Sequence, residues 1–186
     1  MMRRAVAVIV LIGIGAIAAQ AQPREELVER TLAIVGGRAV TLADVRAATA
    51  LALIPDAADL DAATEHLVER ALVLREVERY APPEPPQHAV DDRLAEMRRR
   101  WSAAAVADVL TAEGFSDARL RAWIRDDLRI AAYLEQRFAA TADLSVEQVA
   151  PELRERLSAE RRAGLIADWI ADLRRRTPVV ELWKHR

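Results

Sequence analysis

Few side chains in this 186-residue chain belong to types that do chemistry at defined spacings. There is no cysteine, which removes thiolate nucleophiles, disulfides, thiolate metal sites and a lipid-bearing cysteine together. Of the three histidines, His66, His88 and His185, the first two have no cysteine or acid at ligand spacing, so no metal or catalytic role is expected of them. Asp91-Asp92 and Asp126-Asp127 are adjacent acids. Neighbours one residue apart on a helix point about 100° apart, so both pairs are expected to be solvated helix charge rather than acid and base partners. No glycine-rich phosphate loop, nucleotide fingerprint, His-Glu-x-x-His or Gly-x-Ser-x-Gly occurs. The expectation is a protein without catalytic residues, cofactor or metal.

What remains is large apolar side chains. Trp101, Trp123 and Trp169 each fall on the apolar stripe of a different expected helix. They read either as shared core or, with the adaptable Met97, as the lining of a groove for unfolded polypeptide. Met97, Trp101 and Trp123 are thus the candidate groove or core residues. Arginine triplets at 98–100 and 174–176 are expected on exposed faces, the second also complementing a helix C-terminus, with contact to anionic lipid or peptide as the sharper reading. The 27 Lys+Arg stand against 29 Asp+Glu, so there is no basic excess to drive binding to nucleic acid.

The N-terminus reads as an address. Met1-Met2-Arg3-Arg4 precedes an apolar run from Ala5 to Ala19, and Ala19-Gln20-Ala21 is a small-x-small site with cleavage expected before Gln22. The run is about 15 residues where a spanning helix needs about 20, and Gly13 and Gly15 interrupt it. Residues 1–21 are therefore expected to be a secretory signal peptide, residues 22–186 a single helical domain exported to the periplasm of a Gram-negative-type envelope. No later segment is apolar enough to span a bilayer.

In the exported part, two short β-favouring runs flank Gly36-Gly37, a pair that supplies the positive φ of a tight hairpin turn. Thr41 with Asp44 three residues on predicts a helix start, with a stripe through Leu42, Val45, Ala48, Ala52 and Leu53 until Pro55. A second helix is expected over 60–79, with Leu60, Ala63, Leu67, Ala71, Leu74 and Val77 buried. The prolines of 82–86 form a stiff extended link. Val90, Leu94, Met97 and Trp101 mark a third helix, 103–113 a short fourth, and Gly114 with Ser116 an end and a new start. The longest helix, over 117–139, carries Leu120, Trp123, Ile124, Leu128, Ala131, Leu134 and Phe138 and is expected to be central. Ser145-Val-Glu-Gln148 fits a capping box, and Pro151 opens a helix striped by Leu153, Leu157, Leu165, Ile166, Trp169, Ile170 and Leu173 to about 175. Residues 179–183 alternate like a strand, and a lone strand needs a partner, so the two ends of the chain are expected to meet in one small sheet. The fold class is mainly α, with an N-terminal hairpin and a C-terminal strand; the helix and strand of 151–183 complete the N-terminal part.

The order of these elements resembles the SurA-type periplasmic chaperones, related to trigger factor and PrsA-like foldases. The resemblance is carried by the signal peptide, by Leu32-Ala-Ile-Val-Gly-Gly-Arg-Ala-Val-Thr41, by Gly114-Phe-Ser with Leu120-Arg-Ala-Trp-Ile-Arg-Asp-Asp-Leu128, and by Trp169-Ile-Ala-Asp-Leu-Arg-Arg-Arg-Thr-Pro-Val-Val-Glu-Leu182. It implies one chaperone domain built from an N-terminal helical region and a C-terminal helix plus strand. It also implies partners that are unfolded or nascent exported polypeptides, outer-membrane proteins among them. Such proteins commonly carry parvulin prolyl isomerase domains between the long helix and the last one; here residues 139–151 are too few to hold a domain. The expected function is ATP-independent binding of unfolded polypeptide, with a scaffold for one envelope partner as the alternative and a prolyl isomerase as a third reading.

Overall fold

Residues 30–142 and 151–184 are described by a computed structural model. The expected signal cleavage site at Ala19, Ala21 and Gln22, the capping box at 145–148 and His185 lie outside the described residues. The chain is mainly helical with a small antiparallel sheet. Strands β1 (Thr31–Val35) and β2 (Arg38–Thr41) form the hairpin, and helices α1 (Leu42–Ala50), α2 (Leu60–Tyr80), α3 (Gln87–Trp101), α4 (Ala103–Ala112), α5 (Asp117–Ala142) and α6 (Pro151–Arg176) follow, closed by β3 (Val179–Glu181). The sheet order is β2-β1-β3, so the C-terminal strand does pair with the N-terminal hairpin, Ile34 opposite Val180.

Local chemistry accounts for most element ends. Gly36 and Gly37 have φ of 54° and 92°, both positive as a type I′ turn requires. The turn is held from outside: the Gly36 N–H donates to the Pro178 carbonyl and Arg75 Nη1 donates to the Gly36 carbonyl, each at 2.8 Å. A Cβ at Gly36 would stand 2.3 Å from Arg75 Nη1, whereas one at Gly37 meets open space. Gly36→Ala is therefore expected to cost about 1–2 kcal/mol, from backbone strain plus the displaced arginine, and Gly37→Ala less. Urea midpoints of the two variants check this order.

Thr41 and Asp44 form a reciprocal capping box at the start of α1. The helix stops at Ala50, short of the expected Ala52 and Leu53. The Leu53 N–H donates to the Ala48 carbonyl and the Ala52 N–H to that of Thr49, a Schellman end with Ala52 at φ 49° where glycine is usual. The same motif ends α4 with Gly114 at φ 61°, and the Ser116 Oγ then accepts the Arg119 N–H at 3.1 Å to open α5. Between α3 and α4, Ser102 takes φ 65° and ψ 151°, a strained region for a residue with a side chain, while its Oγ caps α4.

The core is one cluster running from Leu32 to Trp183. α2 is as central as α5: it touches both strands of the hairpin as well as α1, α5 and α6. It consequently buries a broad face that includes Thr64, Val68, Leu72 and Val73 beyond the expected stripe, while Leu60 at its first turn is exposed. In the second half of α5 Tyr133 is buried, tilted against Trp169, as is the expected Phe138, edge-on to the same ring, while Ala131 is exposed. In α6, Leu153 and Leu157 are exposed despite lying on the stripe, because burial begins further along the helix, with Trp169 and Leu173.

Within the triplet 174–176, Arg175 and Arg176 are exposed as expected, while Arg174 is half-buried. Arg174 donates to Glu65 of α2 and to Glu181 of β3, and Arg176 reaches Glu76 of α2 at 3.3 Å, so the end of α6 is clasped to both neighbours. Lys184 and then Arg174 hold the Glu181 carboxyl below its ordinary range. An acid with a lowered value stabilises the fold above the ordinary carboxylate range and loses that contribution as pH falls through the lowered value. Arg174→Gln is expected to cost about 1–2 kcal/mol at neutral pH. The gap to the parent should shrink on acidification, read by urea unfolding across pH.

Candidate functional site

The site is an open groove of about 460 Å³ between the turn after α1, the last turns of α3 and the middle of α5. The Schellman end of α1 turns Leu51 and Leu53 toward it, α3 contributes Met97 and Trp101, and α5 contributes Ile124, Leu128 and Ala131. Leu51 and Ile124 form a buried floor, 3% and 2% exposed, while Met97 and Leu128 are half-buried. Trp101 is 42% exposed. The chain breaks direction at Ser102 immediately after it, so no further turn of α3 covers the ring. A large aromatic and a flexible thioether beside an apolar floor can take up apolar side chains of varied shape.

Charge lines the rim. Arg93 Nη1 is 2.7 Å from Glu96, whose carboxyl lies below its ordinary range chiefly through that hydrogen bond. Asp127 accepts from Arg70 Nε at 2.9 Å, yet burial pushes its carboxyl upward more than the arginine lowers it. Asp126 is likewise raised by burial, its side chain only 18% exposed. Asp126 is thus not the solvated charge expected of it, because α5 packs against α2, whereas the Asp127 side chain keeps 41% of its surface exposed. Asp91 is solvated and pairs with Arg121 at 2.6 Å.

Of the three candidate residues, the structure brings together Met97 and Trp101 and separates Trp123. One residue before Ile124 on α5, Trp123 points about 100° away from it and is buried under the Arg70 guanidinium, 3.8 Å from the ring centroid, and edge-on to Phe115. It borders a smaller cavity of about 260 Å³ with Arg38, Asp44 and Arg119. Trp123 and Trp169 are core; Trp101 is not, which divides the shared packing expected of the three. Leu51, Leu53 and Ile124 complete the groove without having been singled out for it. The one sequence signal for the first two was the apolar run 51–54 standing directly before Pro55.

The side chain of His66 is 33% exposed, with Glu69 4.0 Å away, and His88 is exposed. Among the described residues no three His, Cys, Asp or Glu cluster as metal ligands would, and no helix is long and apolar enough to cross a membrane. No family model and no curated protein matches the chain.

Proposed function

We propose that this protein is a SurA-type chaperone without a prolyl isomerase domain, exported to the periplasm by a cleaved signal peptide, which holds unfolded exported polypeptides without ATP. The observation that carries the reading is Trp101, 42% exposed beside Met97 over a ready-made apolar groove. Burial of client apolar surface contributes about 25 cal/mol per Å², and the ordering of the client offsets much of it. Binding is therefore weak, and release needs no nucleotide. The role is non-catalytic: the side chains around the groove hold and release a segment and transform nothing.

Dilution of an unfolded outer-membrane protein from urea, with and without the exported form and in the absence of ATP, tests the reading by light scattering. Suppressed aggregation near stoichiometric ratios is expected. Undiminished scattering in the presence of folded protein would favour the second reading, a scaffold for one envelope partner. That reading draws on a different observation, the exposed Leu153 and Leu157 of α6, 46% and 39% accessible, which lie outside the groove.

A further inference from the structure

The groove has an electrical polarity. Of the charged side chains that line it, Arg93 is satisfied by Glu96 and Asp127 by Arg70. Arg100 is different: beside Trp101 at the open end of the groove, it makes no hydrogen bond or ion pair among the described residues, and neither does its exposed neighbour Arg99. Glu96 attracts both through space, but its carboxylate is already hydrogen-bonded to Arg93. Arg98, the third of the run, is engaged by Asp117 at 2.8 Å. Part of this positive charge complements the C-terminus of α3, whose dipole amounts to about half an elementary charge. Two free guanidinium groups exceed that. The strained Ser102 ends the helix here, so Arg100 and the exposed ring stand side by side in the groove lining at the end of α3, while Arg99 adds its charge from an adjacent face of the helix.

We propose that the groove selects apolar polypeptide segments that carry carboxylates at one flank, the apolar stretch lying on Met97 and Trp101 and the carboxylates meeting Arg100, with the charge of the neighbouring Arg99 adding to the field there. This rests on the reading of the groove as a polypeptide site and names the class of segment it prefers. Guanidinium groups suit the task because their fork of donors matches a carboxylate. Exposed pairs are individually weak and screened by salt, so the preference is a bias superimposed on apolar binding.

The test uses labelled peptides with one apolar stretch ending in two Asp, two Asn or two Lys, with binding followed by fluorescence anisotropy. At low salt the Asp-ended peptide is expected to bind about fivefold tighter than the Lys-ended one, the gap closing as salt rises. Arg99→Glu/Arg100→Glu should invert the order. Equal binding of all three, or an order that the double variant leaves unchanged, overturns the charge preference and leaves the apolar groove standing. Failure of every peptide to bind overturns the polypeptide site and this preference together. A further arm measures co-sedimentation with vesicles of equal parts phosphatidylcholine and phosphatidylglycerol. Loss of vesicle binding in the double variant, with the peptide order unchanged, would assign the arginines to a membrane surface instead.

Discussion

Replacing Trp183 with alanine is expected to remove about 3–5 kcal/mol of stability, the usual cost of deleting a large buried aromatic. Trp183 is only 4% exposed although it lies near the C-terminus. Strand β3 has three residues, too few to persist without an anchor, and Trp183 follows it directly into the core. Loss of the ring should also free the strand from the hairpin. The Leu182 N–H donates to the Leu32 carbonyl and the Gly36 N–H to that of Pro178, so these amides should lose hydrogen-exchange protection first. Urea unfolding followed by circular dichroism gives the magnitude. Retained protection of both amides would show that β3 is held by the Arg174 clasp alone.

Leu72→Ala is the second large effect. Leu72 is 1% exposed near the middle of α2, the helix that contacts the hairpin, α1, α5 and α6. Neighbours fixed on several sides cannot collapse into the space left behind, so the transfer and cavity contributions both apply, for about 2–5 kcal/mol. Small domains have about 5–15 kcal/mol in total, and the variant should unfold at a much lower urea concentration with an unchanged slope. A cost below about 1 kcal/mol would mean that α2 is not the packed hub described above. Leu60→Ala, at the exposed first turn of the same helix, serves as the contrast and should be close to neutral.

The features readable from the amino-acid sequence were those that short-range chemistry decides. Thr41 with Asp44, Gly36-Gly37, Gly114 and Ser116 act within a turn or two of themselves, and each element boundary they imply is present. The pairing of β3 with the hairpin was readable by a different route, because only one other stretch had strand character. Periodicity identifies which side of a helix is apolar but not whether a neighbour covers it. Trp101 and Leu153 lie on good stripes and are exposed, for that reason. Conversely, Asp126 and Arg174 look like surface residues in one dimension and are enclosed or clasped by elements far away in the chain. The end of α1 escaped because alanine at φ 49° occupies the position where glycine would have signalled the turn. One wall of the groove comes from that turn, so the site was only partly legible: Met97 and Trp101 were visible as a pair, while Leu51 and Leu53 were hidden by the misplaced helix end.

The central claim is that unfolded polypeptide is held at Met97 and Trp101. It is tested most directly by Met97→Ser/Trp101→Ser in the aggregation assay, beside a urea titration of the same variant. Trp101 is exposed and Met97 half-buried, so the fold should lose no more than about 1–2 kcal/mol and remain intact in buffer. The expected result is a folded protein that no longer suppresses scattering of the diluted outer-membrane protein. A folded double variant that suppresses scattering as well as the parent would contradict the claim and move the search for the client surface to Leu153 and Leu157 on α6.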